Sequence, residues 1–163
     1  MRVVVLGIGN ILLSDEGVGV RAIEELTRRY RLPAEILVID GGTCGMELLD
    51  QLAGADLLLI ADAVRVGQPP ASVVRMADDE VPAFFKTKLS PHQVGLSDVL
   101  AALKFAGGAP KSVVLIGVQP VSLELDMALS PAVAARLDEV LDLVTAELAA
   151  LGQPARRRAT GSA

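Results

Sequence analysis

A chain of 163 residues, 52% of them hydrophobic, has the size of one domain and enough apolar surface for one core. Its net charge of -5 and its 2% aromatic content argue against binding phosphate backbones or stacked bases. A single cysteine, Cys44, rules out an internal disulfide framework and a zinc site built from several thiolates.

The chain begins with an apolar run, residues 2–8, that reads as a first strand. It shows no charged leader, long apolar core or small-residue cleavage site of a secretory signal, so a cytoplasmic location is expected. A helix is predicted over 16–30, with Val20, Ile23, Leu26 and Tyr30 on its apolar stripe and Arg21, Glu24, Glu25 and Arg28 facing water. Strand two is expected at 35–40, a short helix at 46–52 and strand three at 56–62, the last so uniformly apolar that it belongs in the centre of a sheet. The stretch 55–64 is broken by Asp56 and Asp62 and is much shorter than the roughly 20 residues of a membrane helix.

Gly67-Gln68-Pro69-Pro70 reads as a turn into a strand at 72–76, reached by too few residues for a crossover helix and therefore an antiparallel edge. A loop through Pro82 and Pro91 leads to a helix at 97–106, with Ser97 as its N-cap and Gly107-Gly108 as its stop. Strand five follows at 112–118. The last helix opens with Ser130 as cap and Pro131 at its first position, and carries Val133, Leu137, Val140, Leu141, Val144 and Leu148 on one face. This alternation predicts a single α/β domain over 1–151, a three-layer doubly wound sheet of about five mostly parallel strands with one antiparallel edge strand and helices on both faces. A disordered tail is expected over 152–163, where Arg156 to Arg158 form the one basic cluster.

Ligands of doubly wound sheets bind outside the carboxyl ends of the strands, which directs attention to residues 9–16, to Gly41-Gly42-Thr43 and to Asp62. Gly7 and Gly9 after the first strand, with Asp40 ending the second, suggest a dinucleotide fingerprint. Against it, Leu12 stands where the third glycine would be, and Asp15 and Glu16 place carboxylates where a pyrophosphate would sit. Taken alone, Asp15 and Glu16 read as ordinary helix-start acids stabilised by the dipole, and the glycines as aids to a tight turn. Asp62 closes the run Leu57-Leu58-Leu59-Ile60-Ala61 and would be desolvated unless it had a cation or donors, so it is a functional candidate. His92, the only histidine, sits in a turn-like Ser90-Pro91-His92 where a nearby helix start would favour the neutral, metal-binding imidazole. A lone loop histidine is more often simply a surface residue.

Glu16, Asp62 and His92 together offer two carboxylates and one imidazole from three loops on one sheet edge, a set that suits zinc, nickel or iron and leaves coordination positions open. Cys44 has no local sign of an activating base, and no serine sits in a nucleophile-elbow pattern.

The run Gly7-Ile8-Gly9-Asn10-Ile11-Leu12-Leu13-Ser14-Asp15-Glu16-Gly17-Val18-Gly19 resembles the opening signature of the hydrogenase maturation endopeptidases. Asp40-Gly41-Gly42-Thr43, Asp62-Ala63, Ser90-Pro91-His92-Gln93 and Gly117-Val118-Gln119-Pro120 fall where that family has its later motifs, so the likeness spans about residues 2–150. The resemblance maps the family's metal ligands onto Glu16, Asp62 and His92. It implies an aspartyl-type endopeptidase that removes the C-terminal extension of a [NiFe]-hydrogenase large-subunit precursor already loaded with nickel, the nickel serving as recognition element. Glu16 and Asp62 are the best candidates for the catalytic residues, and Gly41, Gly42 and Thr43 are candidates for holding the extended peptide through backbone donors. Two other readings stay open: a dinucleotide-binding α/β domain using Gly7, Gly9 and Asp40, and a non-catalytic chaperone that senses nickel on its partner.

Overall fold

The computed structural model describes residues 1–81 and 91–159, with the side chains of 91–95 and 97 outside that description. Its main sheet contains β1 (Val3–Ile8), β3 (Ile36–Gly42), β4 (Leu57–Ala63), β5 (Val73–Ala77) and β6 (Ser112–Val118), in the order β3-β1-β4-β6-β5. The first four of that order run parallel, and β5 lies antiparallel on β6 with Val73 opposite Val118. Strand β4 is central and every one of its residues is buried, as its unbroken apolar run predicted.

Alternate residues feed two cores. Val3, Val5, Leu57, Leu59 and Ile116 face one side, where α1 (Val18–Arg29) and a C-terminal helix supply Leu26, Val140, Val144 and Leu148. Val4, Leu6, Leu58, Ile60 and Leu115 face the other, covered by Leu52 of α2 (Leu49–Leu52) and by Leu96, Val99 and Leu103 of α3 (Pro91–Phe105).

Four elements differ from their sequence prediction. The helix expected from Glu16 is split into a 3-10 turn, Ser14–Gly17, and α1, because Ser14 and Asp15 are tied to a distant loop. Helix α3 starts at Pro91 rather than Ser97, since proline suits a first helical turn and the buried stripe Leu96, Val99, Leu103 continues through Ser97. His92 therefore lies on a helix; the preceding loop, 82–90, lies outside the described residues. The predicted stop holds: Gly107, at φ +79°, and Gly108 donate to the carbonyls of Lys104 and Leu103 in the Schellman pattern.

The final predicted helix is two, α4 (Pro131–Ala134) and α5 (Leu137–Ala150), interrupted where the Arg136 amide bonds back only three residues to Val133. Ser130 makes no side-chain cap. The segment expected to be disordered folds back instead: β7 (Arg156–Arg157) pairs antiparallel with β2 (Tyr30–Arg31), while 160–163 lie outside the described residues. Arg157 packs its guanidinium over the Tyr30 ring at 5.6 Å, which supplies the anchor that composition alone did not reveal.

Helix α1 lies very close to the sheet through Gly7 and Gly19. A Cβ on Gly19 would stand 2.1 Å from the Ala61 carbonyl oxygen and 2.5 Å from that of Ile8. Gly19→Ala gains about 1 kcal/mol of helix propensity, but it must push the helix off two backbone carbonyls, and overpacking of this kind costs about 1–3 kcal/mol or more. The clash should win, and chemical denaturation should show a lower midpoint for Gly19→Ala; an equal or higher midpoint would refute the close approach.

Candidate active site at the carboxyl edge of the sheet

Strand β1 delivers the chain into a compact turn at Gly9, whose φ of +134° few side chains tolerate. The Gly9 amide donates to Gly42 O at 2.8 Å, and a Cβ on Gly9 would lie 2.0 Å from the Glu16 carbonyl oxygen. The glycine is thus needed for the 3-10 turn to fold back over the end of its own strand, a different reason from admitting a pyrophosphate. Asn10 tightens the turn by accepting the Leu12 amide on its side-chain oxygen at 3.0 Å.

The turn is then bound to the segment following β6. Ser14, at φ +51°, donates its hydroxyl to Glu124 O at 2.6 Å and its amide to Asp126 O at 2.7 Å. Asp15 is wholly buried. Its Oδ2 accepts the amides of Val121 and Ser122, both at 2.9 Å, and the Ser130 hydroxyl at 2.8 Å, while Oδ1 accepts the Ser130 amide at 2.8 Å. Asp15 is therefore a structural clamp and not the ordinary helix-start acid that its position suggests. Nothing local in the sequence announces this, since its partners lie more than a hundred residues away. The Ser130 hydroxyl, spent on Asp15, explains the missing cap of α4.

Glu16, the next residue, is half-buried in a turn that packs against β4. At the carboxyl end of β4 lies Asp62, 1% exposed, with Oδ1 accepting the Ala63 amide at 2.8 Å. The fold thus sets the elements bearing Glu16 and Asp62 side by side. Helix α3 ends near the amino edge, where Gly108 O accepts the Gly54 amide ahead of β4, so its first turn, holding His92, lies at the carboxyl edge about 22 Å away. The His92 side chain is outside the described residues, and among those described no group of three His, Cys, Asp or Glu has the arrangement of a metal site.

On the other flank, a depression of about 380 Å³ is bordered by Gly9, Asn10, Leu12, Asp40 and Thr43. Gly42, at φ +49°, gives its amide to Asp40 Oδ1 at 3.1 Å and its carbonyl to Gly9, so its peptide groups are committed within the turn. Thr43 and Asp40 are exposed. Farther along, the Gly45 amide donates to Glu47 at 2.8 Å; the amides of Glu47 and Gly45 hold this carboxyl below the usual glutamate range.

A family model described as HycI, hydrogenase maturation protease, matches residues 20–147. The hydrogenase 2 maturation protease of Escherichia coli is 51% identical over 149 residues, covering 91% of both chains. The solved structure of the E. coli hydrogenase maturating endopeptidase HybD superimposes with a TM-score of 0.95 at 50% identity, over 97% of this chain and 98% of that one. The [NiFe] hydrogenase maturation protease HybD of Thermococcus kodakarensis gives a TM-score of 0.72 at 27% identity, over 88% and 97%. With its five-stranded sheet and the motif-bearing loops gathered at one edge, the chain belongs to the hydrogenase maturation protease family.

Proposed function

We propose that this protease removes the C-terminal extension of a [NiFe]-hydrogenase large-subunit precursor, and that it acts only after nickel has been inserted into that precursor. In this reading Glu16, Asp62 and His92 complete the coordination of nickel carried by the substrate, so that an unloaded precursor does not present its scissile bond. The observation that carries the proposal is the buried Asp62 at the end of β4 beside the turn that holds Glu16. A carboxylate withdrawn from water is a strong partner for a divalent ion, and one of the pair can take the proton of an attacking water in an aspartyl-type hydrolysis.

The depression beside Thr43 suits the extended peptide. Exposed Leu12, Leu125 and Met127 give a large protein substrate an apolar rim to rest on. We place the reaction in the cytoplasm, in keeping with the single free cysteine; among the described residues no helix is long and apolar enough to cross a membrane. The test is to incubate the protein with nickel-loaded and nickel-free precursor and weigh the products. Shortening of the loaded form alone is expected. Equal cleavage of both forms would remove nickel as the recognition element, and binding without shortening would remove the peptidase role.

A further inference from the structure

The far end of α1 carries a second surface that the proposed reaction does not use. Five of the chain's 15 Lys and Arg residues, Arg28, Arg31, Arg156, Arg157 and Arg158, surround one depression of about 980 Å³, and among the described residues no carboxylate lines it. This concentration stands out on a protein of net charge -5. The fold fixes the backbone of Arg31 and Arg156 and anchors the side chains of Arg28, Arg157 and Arg158. Arg31 and Arg156 face each other across the β2–β7 pair, Arg157 lies over Tyr30, and Arg158 donates its amide to Arg29 O at 2.8 Å and its Nε to Thr27 O at 3.1 Å.

Two of the nearby acids are already engaged. Glu25 pairs with Arg28 and Arg29, and Asp138 with Arg29. Among the described residues no carboxylate forms an ion pair with Arg31, Arg156 or Arg158.

We propose that this arginine-lined depression is a docking site for an acidic, carboxylate-rich peptide segment of a protein partner. Guanidinium forks match carboxylates bidentately, and arginine clusters recur in acidic-motif recognition. A single phosphate is too small for five arginines spread around this volume. A membrane surface is disfavoured because none of the exposed large apolar side chains lines the depression to insert into lipid. Nucleic acid is disfavoured by the net charge and by Tyr30, whose ring face is already covered by Arg157. Helix α1 separates this surface from Glu16 by about 18 Å, so a partner held here leaves the active-site edge open.

The probe is a labelled deca-glutamate peptide, with deca-glutamine as neutral control, titrated at low ionic strength into the full chain and into Arg31→Gln/Arg156→Gln. Among the described residues those two side chains form no ion pair, so the variant should melt like the parent. The parent should bind deca-glutamate saturably and lose it with added salt, the variant should bind about tenfold more weakly, and deca-glutamine should not bind. Absence of saturable binding, equal binding by the variant, or tighter binding to phosphatidylserine vesicles or to a single-stranded RNA of equal charge would each overturn the proposal.

Discussion

Asp62→Asn is expected to lower cleavage of nickel-loaded precursor by more than about a hundredfold, because even residues that only orient metal ligands change activity by about 10- to 100-fold. Asparagine keeps the size of the side chain and can still accept the Ala63 amide, so the domain should stay folded while the charge and the metal affinity are lost. An inactive, fully folded protein is the signature of a functional carboxylate. Glu16→Gln and His92→Gln should behave alike if the three act on one ion. Precursor cleavage by Asp62→Asn at the parental rate, with an unchanged circular dichroism spectrum, would remove Asp62 from the site.

Asp15→Ala should instead unfold or severely destabilise the domain. Truncation leaves the amides of Val121, Ser122 and Ser130 without the wholly buried acceptor that they share. Each orphaned donor costs about 1–3 kcal/mol, so the sum for three is about 3–9 kcal/mol against a total stability of about 5–15 kcal/mol. For a chain of this length that corresponds to a melting temperature lower by about 10 °C or more. Asp15→Asn should be milder, since its carbonyl oxygen can keep the Val121, Ser122 and Ser130 hydroxyl contacts while its amide nitrogen meets the Ser130 amide, donor against donor. A melting curve of Asp15→Ala within a degree or two of the parent would show that the clamp contributes little.

The adjacent acids Asp15 and Glu16 show how far a local pattern can reach. Asp62 could be singled out because an apolar run ending in a carboxylate is a local pattern with a local energetic meaning. Asp15 and Glu16 offered only their position at a helix start, and that position favours any acid. Which of the pair turns inward to the 121–130 segment, and which stays beside β4, depends on contacts formed by residues over a hundred positions apart. Pro91 reads equally well as a helix breaker and as a first-turn residue, so the sequence alone leaves His92 in a loop, and the buried stripe of α3 resolves that choice in favour of the helix.

By itself the sequence determined the strand run of β1, β4 and β6, the antiparallel edge at β5, the Schellman stop at Gly107-Gly108 and the family resemblance, since each rests on residues close together in the chain. Apolar periodicity, turn chemistry and a contiguous motif all act over a few residues. Tertiary structure decided the split of the first helix, the burial of Asp15, the diversion of the Ser130 hydroxyl and the return of Arg156–Arg157 onto Tyr30–Arg31. Each is a hydrogen-bonding or stacking choice between segments whose proximity exists only once the sheet has formed, so no local propensity could have encoded it.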